Sequence, residues 1–320
     1  TELTARGHDL SDALWSARLL LTDPGAIEDV HLACFEAGAR VAIAASYQAS
    51  VPGFAAAGLD LGSAVGLMRR SVGLASRARD RYREASGDDG ALLVAGSVGP
   101  YGAYLADGSE YRGDYAAEVG PEALAAFHRP RMEALREAGA DLFAIETIPT
   151  VREAEVLVRL LDEIDVPAWL SYSCRDGGTT SAGEPIEDAV ALGDDRRIVA
   201  VGVNCTAPRF VPELLARAAD VTDRPRIAYP NGGDRWDATA RTWVADAGGT
   251  FEPSTVATWD GLGATWLGGC CGTGPADIRA LAEADWPRER KMVAIITRET
   301  DLIGRENVAR LREVFGDHFV

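Results

Sequence analysis

Three cysteines stand where short apolar runs end. Cys205 directly follows one run, and Cys270 and Cys271 follow another after two glycines. Thiolates are preferred ligands of Zn²⁺, and three protein ligands with one open position are typical of catalytic zinc sites. Adjacent side chains on a strand face opposite ways, so the neighbouring pair can share one ion only in a turn, which the flanking glycines permit. The spacing predicts an open zinc site, with packing as small hydrophobic residues as the alternative.

A single acidic residue, Glu146, stands near the end of another apolar run. An ionised carboxylate is costly to bury unless it is paired or lies at a wet opening. We therefore predict that Glu146 binds the ammonium group of a substrate. A structural ion pair with a nearby arginine is the alternative.

The remaining cysteines and the histidines indicate no second site. Cys174 ends a further run, where it either reaches the same opening or packs, and Cys34 lies on the apolar face of a helix. The histidines lie away from the ends of the runs and are predicted to be surface or helix-packing residues: His8, His31, His128 and His318. The sequence has no G-x-x-x-x-G-K-S/T loop and no G-x-S-x-G elbow, which argues against nucleotide binding and serine hydrolysis.

Seven short apolar runs, rich in β-branched residues, alternate with amphipathic stretches along the chain. They are too short for helices, and several are apolar at consecutive positions, which indicates parallel strands buried on both faces. The predicted strands are 41–46, 92–98, 142–148, 168–173, 198–204, 226–229 and 264–267.

Helix signals fill the intervals between these strands. Asp23 and Pro24 provide an N-cap and a proline at the first helical position, and Thr150 with Glu153 predicts a capping box. Eight strand–helix units in roughly 250 residues or more make a TIM barrel. A doubly wound sheet is the competing fold, but no G-x-G-x-x-G opens a helix after any predicted strand. We predict an α/β fold, a single-domain TIM (β/α)8 barrel.

The charge balance and the cysteine count exclude several classes of protein. The 320 residues carry 32 Lys and Arg against 49 Asp and Glu, a formal net charge of −17, whereas nucleic-acid binding requires a basic patch. No apolar run approaches the roughly 18 residues of a membrane helix, and the first ten residues do not resemble a signal peptide. Five cysteines are too sparse for a disulfide framework. We expect a cytoplasmic protein with no nucleic-acid or membrane partner.

Several segments resemble the homocysteine S-methyltransferases, a zinc-dependent family. The matching segments are 12–20 (DALWSARLL), 45–53 (ASYQASVPG), 97–115 (SVGPYGAYLADGSEYRGDY), 146–149 (ETIP), 202–205 (GVNC) and 268–272 (GGCCG). Segments 97–115 and 229–232 (YPNG) resemble the branch that uses S-methylmethionine rather than the betaine branch. The resemblance implies a TIM barrel in which Cys205, Cys270 and Cys271 hold zinc and Glu146 holds the amino group of homocysteine.

The implied reaction transfers a methyl group from S-methylmethionine, or less efficiently S-adenosylmethionine, to the thiol of homocysteine, giving methionine. Zinc lowers the pKa of a bound thiol, so the attacking sulfur would be a thiolate at neutral pH. Tyr47 and Trp15 are candidates for lining the substrate pocket, because aromatic faces attract a sulfonium; packing is the alternative for both. Asn204 is a further candidate substrate-binding residue. A monomer or a homodimer is expected.

Two features depart from the family pattern. The family has a first strand and an Asp-Gly-Gly motif before the residues that match 1–3, so the first barrel strand is expected to be missing from this sequence. Beyond a barrel of residues 1–287, residues 288–320 form an extension of unknown role, with a predicted strand at 292–297 and helix at 307–314. The alternative functions are a non-catalytic barrel that senses oxidants or stores metal, a methyltransferase using betaine, and one that methylates a selenol or another thiol.

Overall fold

The central sheet has seven parallel strands. The computed structural model describes residues 2–8, 16–233, 235–237, 242–244 and 253–284. The strands of the sheet are β1 (Val41–Ile43), β2 (Leu93–Val98), β3 (Leu142–Ile148), β4 (Ala168–Tyr172), β5 (Ile198–Asn204), β6 (Arg226–Tyr229) and β9 (Ala264–Leu267). A short antiparallel pair, β7 (Arg235–Asp237) and β8 (Thr242–Val244), precedes β9 in the chain. Each of the seven strands predicted for the barrel is present, beginning at the predicted residue or one later.

Helices connect the strands. They are α1 (Glu2–Ala5), α2 (Ser16–Thr22), α3 (Pro24–Glu36), α4 (Val51–Ala56), α5 (Leu61–Ser86), α6 (Tyr101–Leu105), α7 (Pro121–Glu137), α8 (Val151–Ile164), α9 (Ile186–Val190), α10 (Val211–Ala219), α11 (Pro253–Gly261) and α12 (Pro275–Glu283). Short 3-10 segments lie at Ser109–Tyr111, Asp114–Ala117, Ala191–Asp194 and Pro208–Phe210. In the described ranges, no helix is both long and apolar enough to cross a membrane.

The strand order distinguishes a barrel from a doubly wound sheet, in which the order reverses at a switch point. Here each strand pairs in parallel with the next along the chain, from β1 to β9. Within the described part of the chain no ladder joins β1 to β9, so the curled sheet remains open at that edge. The predicted TIM-barrel architecture is confirmed.

Apolar side chains fill both faces of the sheet, as its continuous apolar strands predict. Inside the barrel, Trp169, Tyr229 and Trp266 from three different strands are at most 2% exposed. The Trp169 indole N–H donates to the Tyr229 hydroxyl at 2.8 Å, so these large rings are buried without an unpaired polar atom between them. The outer face packs against the helices.

The helix caps agree with the sequence in part. Asp23 Oδ1 accepts a hydrogen bond from Ala26 N, and Thr150 Oγ1 accepts one from Glu153 N, both at 3.2 Å. The second hydrogen bond of the predicted capping box, from Thr150 N to the Glu153 side chain, is not formed, so that half of the prediction is wrong. The Glu153 carboxylate instead accepts from Tyr101 N and His128 Nε2, because these buried donors have no water to bond.

Several other predictions fall in this outer layer or outside the described residues. Cys34 on α3 packs against the main core, and burial raises the pKa of its thiol to about 12. His128 is buried on α7, as expected of a helix-packing residue. Outside the described residues lie Trp15, His318, the proposed boundary at 287–288 and both elements predicted beyond it.

Candidate metal and substrate site

The three predicted metal ligands meet at the carboxyl ends of β5 and β9. Their Sγ atoms all lie within 4.8 Å of one another. The Cys205 Sγ atom is 2.9 Å from Cys270 Sγ and 3.5 Å from Cys271 Sγ. β9 ends at Leu267 and the chain then turns, with Thr273 N donating to Cys270 O, so two neighbouring cysteines can face one point. The structure brings together the three cysteines that the sequence assigned to the site.

Two residues beside the site adopt the left-handed backbone conformation. Cys205 has a φ of 48° and Thr147 a φ of 60°. This region is unfavourable for residues other than glycine, and most of all for β-branched ones such as threonine. Such conformations cost of the order of 1–3 kcal/mol each and concentrate at functional sites. The strain at Cys205 lies where β5 ends and its thiol joins the other two.

Asn204 precedes Cys205 in the chain and bonds to Thr147 through its side-chain amide. Its Oδ1 accepts from Thr147 N at 2.6 Å and from Ser171 Oγ at 2.9 Å. Its Nδ2 donates to Thr147 Oγ1 at 2.7 Å and to Cys270 Sγ at 3.9 Å. These four bonds use the full capacity of an amide, and the side chain is fully buried. Asn204 therefore positions Thr147 and Cys270, and its contact with a substrate stays a prediction.

Glu146 lies at the end of β3, close to the thiols and 5% exposed. Ser97 Oγ donates to its Oε1, and the Tyr229 hydroxyl donates to its Oε2 at 3.2 Å. Burial raises the pKa of the Glu146 carboxyl to about 7, although both hydrogen bonds oppose that change. No described arginine lies within ion-pair distance of it, so the alternative of a structural ion pair has no partner among the described residues.

A cavity of about 330 Å³ opens in front of the thiols, at the lower end of the roughly 300–1,000 Å³ of ligand pockets. Tyr47, a candidate from the sequence, lines it, and its ring lies so close to Gly99 that a Cβ there would be 2.6 Å from ring atoms. Tyr111 also lines it, with its hydroxyl 3.4 Å from Cys205 Sγ. The cavity thus combines thiols, a carboxylate and aromatic rings.

The chemistry of the cluster fits a thiophilic metal ion. Three sulfur donors select zinc and similar soft ions over magnesium or calcium. Hydrogen bonds from Cys205 and Cys270 lower the pKa of the Cys271 thiol. Hydrogen bonds with Cys205 and Cys271, together with burial, raise the pKa of the Cys270 thiol. Ionising buried thiols that lie this close together requires a nearby positive charge, which a bound metal ion supplies.

Some site residues were not singled out from the sequence. Ser97, Glu110 and Tyr111 all fall in the matching segment 97–115, but nothing in that segment distinguishes them from its other polar residues. Tyr229 ends a predicted strand, and its role follows only from the curvature that brings β6 opposite β3. Cys174, which was left open between site and packing, is buried and lies outside the thiol cluster.

The sequential parallel barrel and the thiol cluster at its carboxyl end define a TIM-barrel-like protein with a site suited to a thiol-ligated metal ion. The chain belongs to the homocysteine S-methyltransferase family, whose model matches residues 1–284. It is 48% identical to the homocysteine S-methyltransferase of Escherichia coli, over 88% of this chain and 91% of that protein. It is 44% identical to the selenocysteine Se-methyltransferase of Brassica oleracea, over 88% of this chain and 86% of that protein.

A solved structure supports the fold. The metallated form of the homocysteine methyltransferase MmuM from Escherichia coli superposes with a TM-score of 0.79 and 46% sequence identity. The match covers 88% of this chain and 91% of that one. The predicted family is therefore confirmed.

Proposed function

We propose that this protein transfers a methyl group from a sulfonium donor, S-methylmethionine or S-adenosylmethionine, to the thiol of L-homocysteine, giving methionine. The observation that carries the proposal is the convergence of Cys205, Cys270 and Cys271 on a cavity that Glu146 also lines. Membership of the family and the names of its relatives support the reaction class.

We propose zinc as the metal, held by the three cysteine thiolates. When bound, zinc would act as a Lewis acid that lowers the pKa of the homocysteine thiol and offers its sulfur the fourth position. Asn204 keeps Cys270 in place through its Nδ2 hydrogen bond. Tyr111 contributes a hydroxyl beside Cys205 Sγ, which can donate a hydrogen bond to the thiolate.

Glu146 is proposed to bind the ammonium group of homocysteine. The Ser97 and Tyr229 hydroxyls hold its carboxylate in one orientation, and a carboxylate oxygen can accept further hydrogen bonds from an ammonium group. The positive charge of the ligand favours the ionised carboxylate, which offsets the burial that raises its pKa. Ligand binding and ionisation of Glu146 are therefore coupled.

The transfer itself needs no general base once the homocysteine sulfur is a thiolate. Its lone pair forms the new S–CH3 bond while the donor's S–CH3 bond breaks, and the broken bond's electron pair stays on the donor sulfur. With S-methylmethionine, both products are methionine, and the positive charge of the sulfonium is cancelled by the thiolate. The half-buried Tyr47 lines the cavity, and an aromatic ring there would attract that charge.

Selenocysteine is a second candidate acceptor, favoured by the similarity to the Brassica enzyme named for that activity. A selenol is a softer and more acidic analogue of the thiol and suits the same cluster. Betaine as donor and a non-catalytic, metal-storing or redox role remain the other outcomes. We further propose a cytoplasmic monomer or homodimer, supported by five free cysteines, which suit a reducing compartment.

The test is a methyl-transfer assay with the zinc-loaded protein. Homocysteine and selenocysteine are each paired with S-methylmethionine, S-adenosylmethionine and betaine, and the methylated product is quantified. We expect methionine from homocysteine and S-methylmethionine, loss of product with Cys205→Ser, and retention with Cys174→Ser, whose thiol lies outside the cluster. Zinc binding without any methylated product would refute the proposal and support the storage or redox role.

A further inference from the structure

Glu110 is a second buried carboxylate in the cavity. It lies in the 3-10 segment Ser109–Tyr111, is 3% exposed and lines the same cavity as the three cysteines. Its Oε2 has no hydrogen-bond partner within the part of the chain that the structure describes. Leaving a buried carboxylate oxygen unpaired is costly, so this atom suits a positively charged ligand.

The surroundings of Glu110 do not provide that charge. None of the described residues that line the cavity is Lys or Arg, and burial lowers the pKa of the lining residue His31 to about 4, which keeps it neutral. Arg112, two residues along the chain, forms ion pairs with Asp107 and Asp114 instead. Burial raises the pKa of Glu110 to about 7, and a cationic ligand would reverse that effect.

Glu110 and Glu146 differ in how their oxygens are used. Both oxygens of Glu146 already accept hydrogen bonds from Ser97 and Tyr229, whereas Oε2 of Glu110 accepts none. A reaction between homocysteine and a sulfonium amino acid brings two cationic amino groups and one sulfonium into the cavity. Glu2, a third acidic residue that lines the cavity, is already paired with Arg6 at 2.7 Å. The hydrogen-bonded carboxylate of Glu146 alone does not account for all three charges.

The backbone around Glu110 is fixed beside the thiols. Ser173 Oγ donates to Glu110 O at 2.9 Å. A Cβ at Gly102 would lie 2.6 Å from Glu110 N, so only glycine allows α6 to approach this segment so closely. The next residue, Tyr111, places its hydroxyl 3.4 Å from Cys205 Sγ. Glu110 is thus held in the wall of the cavity that the three cysteines also line, next to a residue whose hydroxyl contacts one of them.

We propose that Glu110 is the counter-ion of the sulfonium group of the methyl donor; this rests on the proposed function. A sulfonium has no N–H or O–H to donate, so it is recognised by charge and by aromatic faces such as those of Tyr47 and Tyr111. After transfer the donor becomes a neutral thioether, which this carboxylate does not attract. Glu110 therefore makes the site prefer the charged donor over the methionine product.

S-methylmethionine and methionine form a matched pair of ligands that differ by the methyl group and its charge. Their dissociation constants are measured by titration calorimetry on zinc-loaded wild type and Glu110→Gln. Each titration is run with and without homoserine, the oxygen analogue of homocysteine, so that no transfer occurs. We expect Glu110→Gln to weaken S-methylmethionine binding roughly 10- to 100-fold, as for loss of a buried charge partner, and methionine binding by less than about twofold.

Three variants separate this role from others. Glu110→Asp keeps the negative charge but moves it away from the ligand, because the side chain is one methylene shorter. We expect a smaller loss of affinity for S-methylmethionine than with Glu110→Gln. Glu146→Gln should weaken homocysteine binding without changing the ratio between the two ligands. Asp114→Asn removes an exposed charge from the same loop and should change the affinity for neither ligand. Thermal unfolding and zinc content verify that each variant is folded and loaded.

The outcomes distinguish this inference from the proposed function. If Glu110→Gln weakened the binding of S-methylmethionine and methionine equally, the counter-ion role would be overturned in favour of a contact with the amino group. The role would also be overturned if the variant weakened neither ligand, or if the wild type bound no S-methylmethionine. A wild type that binds S-methylmethionine with the expected Glu110 dependence but forms no methionine would refute only the proposed function.

Discussion

Asn204 holds Thr147 by both polar groups of that residue: its Oδ1 accepts from Thr147 N at 2.6 Å and its Nδ2 donates to Thr147 Oγ1 at 2.7 Å. The pair joins the ends of β3 and β5, which are separated in the sheet by β4. Glu146 precedes Thr147 and Cys205 follows Asn204, so the same two hydrogen bonds fix the carboxylate relative to the thiols. The two halves of the site are therefore positioned by one side chain.

Replacing Asn204 by alanine removes four hydrogen bonds and leaves the buried N–H of Thr147 without a partner. We expect the free energy of unfolding to fall by about 2–4 kcal/mol and the affinity for zinc to fall with it, since Cys270 loses its Nδ2 contact. Urea unfolding and competition with a zinc chelator measure the two effects.

The matched control is Asn231→Ala, which removes a buried amide that accepts one hydrogen bond, from Gly233 N at 3.0 Å. Its expected cost is about 1 kcal/mol. If Asn204→Ala cost no more than this control, the amide of Asn204 would not be what holds the two strand ends together.

The sequence could predict the reactive residues of the site but not the link between Asn204 and Thr147 that positions them. Cys205 and Glu146 were found because polar residues at the ends of apolar runs stand out from the strand pattern. The left-handed φ of Thr147 left no such signal, because tertiary hydrogen bonds impose it against the local preference of threonine. Glu153 was misread for the same reason: its local pattern predicts a cap, but buried donors from α6 and α7 bind its carboxylate.

The stability of the metal-free protein is expected to depend on pH through Glu146. Burial raises the pKa of its carboxyl from 4.5 to about 7, so the folded state favours the protonated form. The contribution of this carboxyl to stability is therefore fully present below about pH 4.5 and is lost as the pH rises through about 7. The free energy of unfolding of the wild type should fall by up to about 3 kcal/mol relative to that of Glu146→Gln across this range.

Urea unfolding of both proteins at pH 5, 6.5 and 8 measures this difference. Glu163→Gln is the control, because a hydrogen bond from Arg129 lowers the pKa of that exposed carboxyl and it stays ionised throughout. A constant difference between wild type and Glu146→Gln from pH 5 to pH 8 would show that the buried carboxyl does not titrate in this range.

Removal of the metal should destabilise the fold. A ligand bound at 1,000 times its dissociation constant stabilises the native state by about 4 kcal/mol, and in a chain of this size its loss corresponds to a fall in Tm of roughly 6 °C. We expect such a fall when a zinc chelator is added to the zinc-loaded wild type, measured by differential scanning calorimetry.

Single cysteine variants assign that shift to the cluster. Cys205→Ser, Cys270→Ser and Cys271→Ser should bind little zinc and show almost no further change with chelator. Cys174→Ser should keep the full shift, since its thiol is not part of the cluster. A chelator effect that survived Cys205→Ser would place the metal elsewhere in the protein.

Arg131 is expected to control the position of Tyr47 without affecting the metal. Its guanidinium, 1% exposed, donates to Tyr47 O at 3.1 Å, Gly99 O at 2.6 Å and His128 Nδ1 at 2.6 Å. The last bond leaves the imidazole proton on Nε2, which donates to Glu153 at 2.7 Å. Lysine cannot reproduce this planar set of donors. We expect Arg131→Lys to lower the free energy of unfolding by about 2–4 kcal/mol.

Two measurements on Arg131→Lys are compared: KM for the methyl donor and the zinc content. Tyr47 lines the cavity from the β1 side, whereas the three cysteines follow β5 and β9. Arg131→Lys should therefore raise KM for the methyl donor several-fold while zinc content stays at the wild-type level. Arg129→Lys replaces a partly exposed arginine of the same helix that is paired with Glu163. It should change stability by no more than about 0.5 kcal/mol and leave KM unchanged. Loss of zinc in Arg131→Lys would mean that its network supports the whole opening of the barrel rather than Tyr47 alone.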